Sequence, residues 1–303
     1  MYKLLYSFLI LVVCFSCKKK DAPVEVKTVP TKKMIDAYTE VQYGNMPLVI
    51  SVPHGGTTNP VTLPDRTCPN ITTATDINTI EMLKAIDSVC YADYQLKPYY
   101  VFTNLKRIKI DQNREIAEAT CSNPSLAAYW SNYHLSLDTC INMIAAKYPQ
   151  CLFIDLHGHG HTKQRLELGY LITATELRNT STINISSTSV FSLLQQNSLL
   201  NINQVLSGTN AFGTLMANKN FPAVPSQQDV APLVGDLFFD GGYNTQRYCS
   251  SLYPKVFGWQ IESNYTGVRD NKANRDVFAK AFLQSVMQYY TANTSMQPST
   301  FGK

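Results

Sequence analysis

Residues 151–162 read CLFIDLHGHGHT. An apolar run is interrupted by one carboxylate, Asp155, and then gives way to histidines at 157, 159 and 161 with glycine between them. A short, mostly apolar run that stops at a glycine-rich turn reads as a strand buried on both faces, the kind found inside a parallel sheet. Working outward, PLVISV (47–52), YYVFT (99–103), RIKID (107–111), ELGYLIT (167–173) and FGWQIE (257–262) read in the same way. Three- and four-residue apolar spacing predicts helices at about 76–90, 124–148, 188–200, 208–218 and 271–290. This alternation predicts an α/β fold, an open, twisted, mostly parallel sheet flanked by helices. Ligands of such sheets bind outside the carboxyl ends of the strands. His54, then Asp111 with Asn113 and Arg114, then Asp155 with His157, and finally Glu262 all stand at such ends.

The chain has 303 residues, 45% of them hydrophobic, which suffices for a large core and excludes a mainly disordered protein. Its net charge of +4 is concentrated near the start, where Lys18, Lys19, Lys20, Lys27, Lys32 and Lys33 face only Asp21 and Glu25. The remainder is close to neutral and carries no nucleic-acid footprint. No repeat or change of composition follows residue 34, so residues 34–303 read as a single domain, with NTSTINISSTS (179–189) as a polar loop inside it. Residues 1–16 read as a signal peptide, too short to span a bilayer comfortably, and residues 17–33 as a tether. CFSC followed by KKKD resembles a bacterial lipoprotein signal, which implies a lipid anchor on Cys17 and an exported, membrane-attached protein facing the periplasm or the cell surface. Cys68, Cys90, Cys121, Cys140, Cys151 and Cys249 then permit up to three disulfides, or buried free thiols, and spacing does not choose among the pairings.

The histidines carry the chemistry. Neutral imidazole is a common metal ligand, and Asp155, two residues before His157 on the same strand face, is placed to orient it or a neighbouring ligand. Glycine lets the backbone turn closely around a centre, so His159 or His161 could also reach it; the alternative is a solvated loop. His54 lies in SVPHGG, where proline stiffens the strand exit and glycines allow close approach. Catalytic zinc sites take three protein ligands, and two histidines plus a carboxylate are a common set. Three residues after His54 stands Thr57, so the next carboxylate candidate is Asp76, at the mouth of a predicted helix, in competition with Asp65 and Glu81 and with a plain helix-capping role for itself. Glu262 suits a general base or a salt-bridge partner. Arg114 offers the planar fork that grips a carboxylate.

Taken in order, SVPHGG, TATDINTIEML, IDQNRE, FIDLHGHG, DGGYNTQRY and GWQIESNYTGVRD resemble the N-formylglutamate amidohydrolase family, which is akin in fold to zinc carboxypeptidases and aspartoacylases. The resemblance implies zinc held by His54, Asp76 and His157, although other divalent transition metals suit such ligands. It further implies Glu262 as the catalytic carboxylate and Asn113 with Arg114 as the grip on a substrate carboxylate. The implied reaction is hydrolysis of an amide bond in an N-acyl amino acid or peptide-like substrate. A cell-wall or polyglutamate peptidase or carboxypeptidase, and a non-catalytic binding lipoprotein, are the alternatives. Two features depart from the family: the histidine cluster is extended, and Gly241-Gly242-Tyr243 follows Asp240. An exported enzyme would rarely meet N-formylglutamate, an intermediate of intracellular histidine breakdown, so the reaction class carries over further than the named substrate.

Overall fold

The segments that lack a polar face lie in the middle of the sheet. A computed structural model describes residues 30–303; the expected signal peptide and most of the expected tether lie outside the described residues. Its strands are β1 (Thr31–Met34), β2 (Thr39–Tyr43), β3 (Leu48–Val52), β4 (Tyr99–Thr103), β5 (Cys151–Gly158), β6 (Leu166–Gly169), β7 (Ala223–Val224) and β8 (Val256–Ser263). They form one eight-stranded sheet in the order β1-β2-β4-β3-β5-β8-β6-β7. The central β4, β3, β5 and β8 are parallel, and all are buried on both faces. β1 and β2 extend one side in antiparallel fashion, while β6 runs antiparallel to β8 and parallel to β7 on the other.

The helices cover this sheet. Helix α1 (Thr79–Tyr94) packs on α4 (Lys272–Asn293) and against β3 and β5, while α2 (Pro124–Lys147) lies against β2, β3, β4 and β5. Pro124 opens α2, and the Asn123 side chain caps it by accepting from Ser125 N–H. The short α3 (Tyr243–Tyr248) touches β5 and β8. Trp259 of β8 is fully buried among Tyr170, Phe212 and Tyr289 and anchors the core beneath the last strands.

Several boundaries differ from the sequence reading. RIKID (107–111) is not a strand but a turn, closed by Lys109 N–H donating to the Lys106 carbonyl. Its charged residues are buried together with Ile110, while Ile108 is only partly buried: Arg107 pairs with Asp111, and Lys109 pairs with Asp65. The predicted strand at 167–173 stops at Gly169, and the helices predicted at 188–200 and 208–218 shrink to Phe191–Gln196 and Phe212–Ala217. Residues 31–33, assigned to the tether, are already paired in β1 against β2.

Candidate metal centre

Parallel register brings the site together. His157 and Glu262 are direct neighbours on β5 and β8, and β3, next to β5 on its other side, delivers His54 two residues beyond its end. Asp76 arrives from the loop before α1, where its N–H donates to the His54 carbonyl at 3.0 Å. The helix-capping reading of Asp76 does not hold. Asn78 occupies the cap in a left-handed conformation with no side-chain cap bond, which leaves the Asp76 carboxylate turned to His157 and to Gly158 N–H. The competing acids are elsewhere, Asp65 on Lys109 and Glu81 exposed on α1.

Three atoms converge. His54 Nδ1 and His157 Nδ1 lie 3.1 Å apart, and Asp76 Oδ2 lies 3.6 Å from the first and 3.0 Å from the second. Ligand bonds of about 2.0–2.1 Å in a tetrahedral zinc site put ligand atoms roughly 3.3 Å apart, so the triangle matches that requirement. The outer nitrogens are also accounted for. His54 Nε2 lies 2.6 Å from Asp111 Oδ1, and His157 Nε2 lies 2.8 Å from Asp155 Oδ2. A carboxylate accepts only, so each outer nitrogen carries the proton and each Nδ1 turns a lone pair inward. Two lone pairs at 3.1 Å repel unless a proton or a metal cation lies between them. The donor set therefore fits a divalent transition metal.

The electrostatics ask for positive charge at the same point, as a proton on one Nδ1 or as a cation. Burial opposes charge on Asp76, but hydrogen bonds from His157 and His54 hold its carboxyl well below the usual range. Burial likewise disfavours a charged His157, and Asp155 and Asp76 overcome it, raising the imidazole well above its ordinary value. Asp111 is held low, against burial, by His54 and Arg107. Glu262 is the exception. Burial pushes its carboxyl up to about 8, with His157 pulling down and Asp76 adding to the rise. Its Oε1 lies 4.0 Å from His157 Nδ1 and accepts from Gln260 Nε2 at 2.9 Å. A cation in the triangle would favour its ionised form.

The site opens on a cavity of about 440 Å³, which His54, Asp76, His157 and Glu262 line together with Arg107, Asn113, Arg114 and His161. The Asn113 side chain is held by its Oδ1, which accepts from Asn244 N–H at 2.8 Å. Arg114 spends Nε on Glu118 and Nη1 on the Asn113 carbonyl, whereas the Arg107 guanidinium spends Nε on Asp111 and makes no other hydrogen bond among the described residues. His159 is held at both nitrogens, Nε2 donating to the Arg165 carbonyl and Nδ1 accepting from His161 N–H, so it shapes the loop. His161 Nδ1 lies 2.9 Å from Glu167, and its Nε2 has no partner among the described residues.

Some contributors had no local signal. Asp155 Oδ1 accepts from Ser51 Oγ at 2.7 Å, and Ser51 Oγ meets the Tyr133 hydroxyl at 2.8 Å. Arg269, nearly fully buried, donates to the carbonyls of Ser263, His159 and Ile77 and so ties β8, the histidine loop and the Asp76 loop together. Gly158 makes this possible, because a Cβ there would sit 2.2 Å from the guanidinium carbon. Among the described residues, Cys68 and Cys121 form the one disulfide, and Cys90, Cys140, Cys151 and Cys249 are buried thiols.

No protein-family model matches the chain, and no curated protein matches it in sequence. Solved structures do resemble it. An N-formylglutamate amidohydrolase from Ralstonia eutropha JMP134 superposes with a TM-score of 0.50 at 12% identity, over 83% of this chain and 98% of that one. A gene product from Agrobacterium tumefaciens gives 0.47 at 10% identity, over 83% and 96% of the two chains. A succinylglutamate desuccinylase from Chromobacterium violaceum gives 0.38 at 14% identity, over 85% and 66%. The first of these shows a common fold, and the other two are too distant to carry an argument.

Proposed function

We propose that this chain is a zinc-dependent amidohydrolase of the N-formylglutamate amidohydrolase type, cleaving an amide bond in an N-acyl amino acid or peptide-like substrate with a free carboxylate. One observation carries the reading: two imidazole Nδ1 atoms and a carboxylate oxygen converge at 3.0–3.6 Å, each imidazole is braced by its own carboxylate, and Glu262 stands alongside in the same cavity. The fold shared with an amidohydrolase agrees with it.

Zinc in such a site supplies Lewis acidity and makes water nucleophilic near neutral pH. His54, Asp76 and His157 would hold it, and Asp111 and Asp155 would fix the two rings. Glu262 takes a proton from the attacking water and passes it to the leaving nitrogen as the carbon–nitrogen bond breaks, giving a carboxylate and an amine. Arg107, rigidly held by Asp111 and nine-tenths buried, directs its terminal nitrogens to the substrate carboxylate, with Arg114 at the rim as a second cation. Export with a lipid anchor at Cys17 belongs to the same proposal, and the Cys68–Cys121 disulfide suits an oxidising compartment.

Glu262→Gln tests the assignment in zinc-loaded protein. The variant is expected to keep its metal and fold and to lose about 100-fold or more in kcat against N-acyl amino acids. Unchanged turnover would remove Glu262 from the reaction. No turnover by the wild type across the substrate panel would favour a binding protein.

A further inference from the structure

The loop between β7 and α3 is unusual for a surface. Val230, Leu233, Val234, Leu237 and Phe239 are all exposed within it, and contiguous exposed apolar side chains mark interaction sites. It is also firmly held. Arg165, 2% exposed, pairs with Asp229 at 2.7 Å and with Asp236 at 3.1 Å, and Lys163 pairs with Asp236 at 3.0 Å. Arg178 donates to the Pro232 carbonyl, and Asp236 accepts from Leu233 N–H. At its far end Phe239 N–H donates to buried Glu167, whose other oxygen holds His161. The His161 and Phe239 rings consequently stack, with centroids 4.7 Å apart and planes 10° from parallel.

This stack stands on the wall of the metal cavity, since His161 and Phe239 both line it. A second groove of about 280 Å³ shares His161 and continues past Leu237 and Gly235, with Thr162 and the paired Lys163 and Asp236 also lining it. His161 is thus common to the metal cavity and to the groove beside it. A loop with several ion pairs beneath it and apolar side chains above it is a platform, built at the expense of leaving those side chains in water. The occupant that repays this exposure is the part of a substrate that continues beyond the scissile bond.

We propose that the His161–Phe239 stack and Leu237 form a specificity subsite for an apolar chain, the acyl group or apolar side chain attached next to the amide that is cleaved. The proposal rests on the hydrolase reading above and narrows its substrate to one with an extended apolar portion. Glu167 acts as a positioning residue, fixing ring and loop at once, and His159 and Arg165 brace the turn.

Binding of n-alkyl hydroxamates from two to eight carbons to the zinc-loaded protein, measured by calorimetry, tests the subsite without relying on turnover. Affinity is expected to rise about two- to fourfold per methylene in the wild type. The slope is expected to collapse in Phe239→Ala and Leu237→Ser, both surface changes checked for folding by circular dichroism. Equal affinity across chain lengths, or a slope unchanged in both variants, would overturn the subsite while leaving the metal centre standing. Failure of every hydroxamate to bind would overturn the metal-centred cleft and the subsite with it. Turnover of an N-acyl amino acid series, run in parallel, separates the fate of the hydrolase reading from that of the subsite.

Discussion

Replacing Asp155 by asparagine changes one atom in the site and tests the logic of the two inward-facing rings. Asp155 is fully buried, so solvent does not screen its bond to His157. It accepts from His157 Nε2 at 2.8 Å through one oxygen and from Ser51 Oγ and Asn244 Nδ2 through the other. An asparagine has one oxygen for two sets of donors. If its NH2 group faces His157, the imidazole must accept at Nε2 and carry its proton at Nδ1, which removes a metal ligand. If its oxygen faces His157, the NH2 group meets the donor on Asn244 and the charge assistance is lost. A hydrogen bond to a charged group is worth about 1.5–3 kcal/mol, which corresponds to a loss of about 10- to 100-fold in metal affinity. The assay is zinc titration against a competing chelator, with the thermal midpoint as a folding control. A dissociation constant within threefold of wild type would refute the reasoning that carboxylates fix the two tautomers.

Asp111→Asn, which removes the equivalent brace from His54, is expected to weaken zinc by a similar factor in the same titration. Arg107→Ala is expected to raise KM for carboxylate substrates about 10- to 100-fold, and Arg114→Ala, already paired with Glu118, less than threefold; steady-state kinetics decide between them. Cys68→Ser opens a loop of 53 residues and is expected to cost about 4 kcal/mol in the chain-entropy limit, read by denaturant unfolding, where an unchanged midpoint would count against it. Gly158→Val pushes a side chain into Arg269 and is expected to cost about 1–3 kcal/mol and to loosen the histidine loop, visible as faster amide exchange at 157–161.

The central strands were legible because parallel strands covered on both faces are mostly apolar, as β3 and β5 are apart from the polar Ser51, Asp155 and His157 that serve the site. RIKID misled for the opposite reason. Its alternation suggested a strand, yet Arg107 and Lys109 are buried alongside Ile110, Arg107 pairing with Asp111 at the end of the same segment and Lys109 with Asp65 far back in the chain, and these ion pairs accompany a turn rather than a strand. The edge strands β1 and β7, of four and two residues, carry too few residues for a pattern to show. Within the site, His54, Asp76, His157 and Glu262 could be nominated because each stands at a strand end or helix entry, and the structure brings all four to one cavity. Asp111 as the brace of His54, Ser51 behind Asp155, and Arg269 across the Gly158 gap depend on contacts 57, 104 and more than 100 residues apart. His159 and His161 look alike in sequence, and only their hydrogen bonds separate a loop brace from a cavity wall.

The claim on which the account turns is that His54, Asp76 and His157 hold a metal ion. Inductively coupled plasma mass spectrometry on purified protein spanning residues 30–303, beside His157→Ala, measures this directly. The account predicts about one zinc per chain in the wild type and its loss in the folded variant. Folded wild-type protein that takes up no divalent metal, even when zinc is supplied, would contradict it.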